Sequence, residues 1–309
     1  MGALVNGQWQ ENPEFPIDEH GGFVRKPTTF HETICDNHKI YQPESQRYHL
    51  YVSYACPWAH RTLIMRALKS LNDHISISVV CPDMLNKGWT FSTQHPGTTG
   101  DQLYQYDYLY QLYQQSEQNV TTRVTVPILW DKKTKTIVNN ESSEIIRIFN
   151  TQFNKLTGNE HDYYPKKHVK SIDQWNQSIY SNINNGVYAT GFATSQTAYE
   201  QAIARLYSQL QQCDAILQRQ DFLCGHDLTE ADIRLLPTLL RFDTVYHTHF
   251  KCTIKRIIDY PGLFAYLNRC RKIPAIQETT RDWHIKRHYY FSHQHINPYQ
   301  IIPVSPEVF

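Results

Sequence analysis

The chain has 309 residues, long enough that two domains are expected rather than one core. Its 30 Lys and Arg against 29 Asp and Glu leave no basic excess for a nucleic-acid or anionic-membrane partner. No stretch approaches the roughly 20 apolar residues of a membrane span, and the opening MGALVNGQWQ lacks the charged start and apolar run of a signal peptide. Position 6 is Asn6, where myristoylation requires Ser or Thr, so the chain reads as a soluble protein with no membrane and no nucleic-acid partner.

Residues 1–45 show no sustained period and read as an N-terminal arm. From residue 46 to 152 an α/β domain is expected. RYHLYVS (residues 47–53) alternates as a strand does, Pro57 to Leu71 has helical period, and HISISVVC (residues 74–81) is rich in β-branched residues. Strand, crossover helix and strand in some thirty residues make a βαβ unit with parallel strands. A long polar, tyrosine-rich insert follows at residues 82–122. VTVPILWD and TIVNN, joined by a Lys-rich turn, then predict an antiparallel hairpin, and ESSEIIRIFN a helix. The order β-α-β then β-β-α is thioredoxin-like. Residues 153–166 read as a linker, residues 167–290 as an all-α domain with helical spacing throughout, and residues 291–309 as a tail. Within the helical part, Thr229 and Asp232 in LTEAD have the spacing of a capping box.

Seven cysteines (Cys35, Cys56, Cys81, Cys213, Cys224, Cys252 and Cys270) are scattered without a CxxC, so neither a disulfide framework nor a zinc site is expected, and a reducing cytoplasm fits best. His247 with His249, and His288 with His293 and His295, have neighbour spacing, but a chain with 16 histidines produces such groupings by chance; no metal is expected. Cys56 differs from the other cysteines because it precedes Pro57 where a helix begins. A cysteine there faces unpaired backbone N–H groups and the positive end of the helix dipole, which favour the thiolate over a thiol whose ordinary pKa is about 8.5. Proline at the first helical position is preorganised for that start.

The strings SYACPWAHR, GWTF, RVTVPILWDKK, NNESSEI, NNGVYATGFAT, LTEADIRL, FDTVYHTHFKC and HIKRHYYFSHQHINP, in this order, resemble the Xi class of glutathione transferases, the glutathionyl-hydroquinone reductases. The resemblance implies an α/β thioredoxin-like N-terminal domain that binds glutathione, an all-α C-terminal domain, and a homodimer. No permanently bound cofactor is implied; glutathione is the co-substrate and glutathionyl-hydroquinones the partners. Cys56 would be the nucleophile. Ala59 stands where a dithiol oxidoreductase has its second thiol, so an external thiol, glutathione, would resolve the mixed disulfide. By resemblance Trp89, Arg123, Val124, Thr125, Val126, Glu141 and Ser142 contact glutathione, with Pro127 the cis residue after Val126. Glu141 would meet the γ-glutamyl ammonium, and Ser142 either caps its helix, binds the carboxylate, or does both. Tyr188 would be the proton donor and acceptor, and Tyr246 and Tyr289 would lower the pKa of Cys56 by donating hydrogen bonds to its thiolate.

Three other readings stay open at the level of sequence. An omega-like thiol transferase would share Cys56, in deglutathionylation or dehydroascorbate reduction, without needing Tyr188. A non-catalytic carrier of aromatic ligands would need no nucleophile. A conjugating transferase favours Ser or Tyr at position 56.

Overall fold

The computed structural model describes residues 2–11 and 16–304; Met1, residues 12–15 and residues 305–309, with the parts of the expected arm and tail that fall there, lie outside the described residues. One unit comprises the chain up to residue 11, Pro27–Asp162 and Thr279–His288. It opens with β1 (Ala3–Val5) and β2 (Gln8–Gln10), a hairpin inside the stretch read as an N-terminal arm. The turn is Asn6-Gly7, both at positive φ (50° and 74°), the backbone a two-residue hairpin loop demands and the one Asn and Gly tolerate best.

The main sheet has β3 (Tyr48–Val52) at its centre, joined through α1 (Pro57–Leu68) to the parallel strand β4 (Ser76–Val79). The insert that follows contains a helix, α2 (Tyr110–Ser116), and ends in β5 (Thr122–Arg123), which pairs with β1 rather than with the main sheet. On the other side of β3 lies β6 (Ile128–Asp131), antiparallel to it, and then β7 (Thr136–Asn139), antiparallel to β6, giving the order β4-β3-β6-β7, and α3 (Ser142–Thr151) follows. All residues of β3 and β6 are buried, so both faces of the sheet are covered. The Arg47 guanidinium donates to both carboxylate oxygens of the fully buried Asp131, at 2.8 and 2.7 Å, fixing β3 to β6 at one end. The segment read as a linker holds one helical turn, α4 (Asn154–Thr157).

The second unit comprises Pro16–Lys26, Tyr163–Glu278 and the chain from Tyr289 onward. Its helices are α5 (Val169–Ile179), α6 (Gly186–Gly191), α7 (Gln196–Leu217), α8 (Glu230–Arg241), the single turn α9 (His247–His249), α10 (Pro261–Cys270) and α11 (Pro274–Gln277). π-helical turns interrupt the helices at Tyr180–Asn184 and Phe242–Tyr246. The last helix, α12 (Asp282–Ser292), gives its residues up to His288 to the first unit and the rest to the second. The capping box predicted at α8 is present: Asp232 accepts from the Thr229 N–H (2.9 Å) and Oγ1 (2.8 Å). Among the described residues no helix is long and apolar enough to cross a membrane.

Candidate active site

Cys56 occupies the N-cap of α1, with extended backbone (φ −75°, ψ 121°) and Pro57 at the first helical position, and it is partly accessible. Four other cysteines are buried in cores. Burial pushes the Cys213 and Cys270 thiols up to about 12 and those of Cys81 and Cys252 upward as well, which makes them inert. The Cys56 Sγ lies 3.5 Å from the Val126 carbonyl, and the Val126–Pro127 bond is cis. The structure therefore brings the candidate nucleophile against one of the backbone positions expected to meet glutathione.

The neighbouring residues are set from two sides. The Tyr113 hydroxyl donates to the Thr125 carbonyl (2.9 Å) and accepts from its N–H (3.2 Å), while Asn140 donates to the same hydroxyl (3.1 Å), so the backbone entering Val126 is fixed by a buried phenol on α2. Pairing of β5 with β1 places Arg123 opposite Ala3, and Val124 and Thr125 follow half-buried. At the start of α3 the cap is Glu141, whose carboxylate accepts from the Ser143 N–H at 3.0 Å and Oγ at 2.9 Å; Ser142 is the first helical residue and buried, not the cap. The Arg61 guanidinium, itself buried, reaches to 3.4 Å from the Ser142 hydroxyl.

Trp89 is buried under the stacked ring of His288, 4.7 Å between centroids, and His288 Nδ1 lies 2.8 Å from the Pro82 carbonyl, where it carries the proton as donor. The residue before it, Arg287, makes two bonds to the Asp83 carboxylate (2.7 and 2.9 Å), which also meets His95 Nε2 at 2.9 Å. Potential ligand atoms of Cys81, Asp83 and His95 lie within 4.8 Å of one another, a grouping the sequence reading did not single out. Here the guanidinium already supplies the cation that Asp83 faces, and the arrangement serves as a clasp from the insert to α12 and so to Trp89.

In the helical unit, Tyr188, Tyr246 and Tyr289 converge. Tyr289 Oη lies 2.6 Å from Tyr188 Oη and 2.8 Å from Tyr246 Oη. Burial pushes the Tyr246 and Tyr289 hydroxyls well above their ordinary value, against the nearby Arg241 cation, and keeps both as neutral donors at every working pH. Tyr246 ends one π-helical turn and Tyr188 follows the other by one helical turn; such turns re-aim side chains within a helix. Phe250, which sequence reasoning missed, packs at the hub: its ring centroid is 5.4 Å from Tyr188, 5.4 Å from Tyr246 and 5.7 Å from Tyr289. Gly191 makes room for it, since a Cβ there would stand 2.3 Å from the Phe250 ring.

Residues 55–152 match the family described as glutathione S-transferase, N-terminal domain, and residues 196–269 match glutathione S-transferase, C-terminal domain. The glutathionyl-hydroquinone reductase YqjG of Escherichia coli is 49% identical over 99% of this chain and 95% of its own length. The glutathionyl-hydroquinone reductase PcpF of Sphingobium chlorophenolicum is 46% identical over 99% and 96%. Among solved structures, the glutathione-S-transferase Xi from Phanerochaete chrysosporium is 46% identical and covers 94% of this chain and 95% of its own, with a TM-score of 0.92. The chain belongs to the Xi class of the glutathione transferase family. The glutathione-bound structure of YqjG resembles this Xi-class transferase with a TM-score of 0.90 at 48% identity, over 98% of this chain and 95% of that one. Both halves of the architecture expected from the sequence, thioredoxin-like and all-helical, are thus those of this transferase.

Proposed function

We infer that this transferase is a glutathionyl-hydroquinone reductase, working through two exchanges at sulfur. In the first, the Cys56 thiolate attacks the sulfur of a glutathionyl-hydroquinone. The S–S bond of Cys56–S–SG forms, the carbon–sulfur bond breaks, and its electron pair takes a proton from Tyr188 to give the hydroquinone. In the second, a glutathione thiolate attacks the mixed disulfide, giving oxidised glutathione and regenerating the Cys56 thiolate. The ring carbon is reduced by two electrons and the two glutathione sulfurs are oxidised to a disulfide, so no metal or nicotinamide is called for.

The observation that carries this reading is the Cys56 Sγ at a helix N-terminus, 3.5 Å from the Val126 carbonyl beside a cis-proline. Val126 pairs with the extended tripeptide, Arg123, Val124, Thr125 and Trp89 line its course, and Glu141 and Ser142 take its γ-glutamyl end. The names of the two enzyme relatives agree with this chemistry. The phenols have separate duties: Tyr188 moves the proton, and Tyr246 and Tyr289, held neutral by burial, donate to the anionic sulfur. The reaction consumes reduced glutathione, which suits the cytoplasm; the homodimer that the resemblance implies is measured directly by sedimentation of the purified protein.

The test is incubation with a glutathionyl-hydroquinone and glutathione, following hydroquinone release by chromatography and the protein by mass spectrometry. Cys56 carries one glutathione when the second thiol is withheld, and Cys56→Ser neither carries it nor turns over. Normal turnover by Cys56→Ser overturns the mechanism. Wild-type speed in Tyr188→Phe removes the proton-donor role and leaves a thiol transferase.

A further inference from the structure

The N-terminal segment Pro16–Lys26 belongs to the helical unit. Its turn is built on Asp18, whose carboxylate accepts from the His20 and Gly22 N–H groups at 2.9 and 2.8 Å. It is tied to the start of α7: the Thr194 N–H (3.0 Å) and hydroxyl (3.4 Å) donate to the Gly21 carbonyl and the Ser195 hydroxyl to the His20 carbonyl (2.7 Å). Phe23 packs edge-on against Phe192, with 5.4 Å between centroids. So anchored, the segment delivers Arg25. Its Nε donates to Asn185 Oδ1 at 2.7 Å, and its guanidinium carbon lies 4.8 Å from the centroid of the Tyr188 ring. Asn185 immediately precedes α6, which carries Tyr188, so the guanidinium is tethered to the backbone that positions the phenol it covers.

We propose that Arg25 is a positioning residue for Tyr188, stabilising the charge that develops on that phenol, so that the N-terminal arm belongs to the reaction apparatus. This rests on the reading of Tyr188 as the proton donor. When the carbon–sulfur bond breaks, its electron pair becomes the new C–H bond, the proton leaves Tyr188 Oη, and Tyr188 is left as phenolate until water returns the proton. A cation over a ring is attracted to its π face, and more strongly once the ring bears negative charge. Arg25 therefore favours the state after transfer over the state before it. The groups facing Tyr188 include Tyr289, Tyr246 and Arg25, and the buried Arg241 acts on the first two. Of these, the cation over the Tyr188 ring comes from the arm.

The experiment compares wild type, Arg25→Gln, Arg25→Lys, Tyr188→Phe and the double variant Arg25→Gln/Tyr188→Phe, measuring kcat and KM on a glutathionyl-hydroquinone at saturating glutathione. Arg25→Gln is expected to lower kcat about two- to thirtyfold, the range a cation over an aromatic ring supplies, with KM changed by less than about twofold. Arg25→Lys, which keeps the cation without the Nε–H bond to Asn185, recovers part of the loss. In the Tyr188→Phe background Arg25→Gln costs nothing further. An unchanged kcat in Arg25→Gln, a loss confined to KM, or an equal loss with and without the Tyr188 hydroxyl overturns the proposal. A slow Tyr188→Phe beside a fast Arg25→Gln sinks this inference alone, whereas a fast Tyr188→Phe sinks the proton-donor reading beneath it.

Discussion

The hydroxyl of Tyr289 stands 2.6 Å from that of Tyr188 and, on its other side, 2.8 Å from that of Tyr246. Tyr289 therefore bonds to both of the other phenols, whose own rings stand 6.0 Å apart between centroids. Tyr289→Phe removes both bonds at once while leaving the ring against Phe250. Two hydrogen bonds at about 0.5–1.5 kcal/mol each correspond to a loss of roughly five- to 150-fold in kcat. Tyr246→Phe leaves the Tyr188–Tyr289 bond in place and is expected to cost less. Steady-state kinetics on a glutathionyl-hydroquinone decide the order; equal losses in the two variants would mean that the Tyr188–Tyr289 bond adds nothing.

Ala59 lies one turn into α1, fully buried, three residues after Cys56. Ala59→Cys restores the spacing at which a second thiol resolves the mixed disulfide within the protein. The variant is expected to release bound glutathione unaided and to end as an intramolecular disulfide, seen as a loss of two hydrogens by non-reducing mass spectrometry. The substitution enlarges a packed site and costs about 1–3 kcal/mol of stability, so a melt accompanies the assay. Persistence of the Cys56–glutathione adduct in the folded variant would show that position 59 does not face the sulfur.

Much of the first unit was legible because its signals are local. Alternation in β3, β-branched residues in β4 and the turn between β6 and β7 each mark an element within a few residues of itself, and Cys-Pro marks the start of α1. The β1–β2 hairpin escaped because strands of three residues give too short a period, although Asn6-Gly7 is a turn signal in its own right. At α3 the sequence left Ser142 as a cap, a carboxylate ligand or both; Glu141 takes the cap because its carboxylate reaches both donors of Ser143. The phenol cluster had no local signature. Its members are 101 and 43 residues apart, and only the family resemblance selected them from 21 tyrosines. Asp83 and Arg287, 204 residues apart, had neither period nor resemblance to mark them.

The Asp83 clasp has a pH dependence of definite sign. Burial disfavours the Asp83 carboxylate, but its bonds to Arg287 and His95 outweigh that and hold its carboxyl below the usual range. A depressed folded-state value contributes stability that is present above the ordinary value near 3.8 and is lost as pH falls through the lower folded value. Asp83→Asn is therefore expected to melt at lower temperature than wild type at neutral pH, by about 1.5–3 kcal/mol for the charged hydrogen bonds removed, and to converge with it below pH 4. Because Arg287 adjoins His288, which stacks on Trp89, the variant is also expected to raise KM for glutathione if Trp89 lines the tripeptide as proposed. Thermal melts across pH 3–7 test the first part. A gap between the two proteins that stays constant across that range would assign the clasp no electrostatic role.

Asp232 runs in the opposite direction. It is fully buried, and burial pushes its carboxyl up to about 6 even though the N–H groups of Leu223 and Thr229 and the hydroxyls of Thr229 and Tyr266 all donate to it. The folded state then binds more protons than the unfolded chain between about pH 4 and 6, so stability falls as pH rises through that window and is level above it. The total is on the order of 3 kcal/mol. Asp232→Asn cannot ionise, so its stability is expected to lose this slope. It also turns one acceptor of the capping box into a donor facing other donors, which lowers stability at neutral pH by about 1–3 kcal/mol. Denaturant titrations at closely spaced pH separate the two effects, because the first appears as a change of slope and the second as an offset. If wild-type stability instead climbs between pH 4 and 6 more than that of Asp232→Asn, the four donors outweigh the burial and the carboxylate is the favoured folded form.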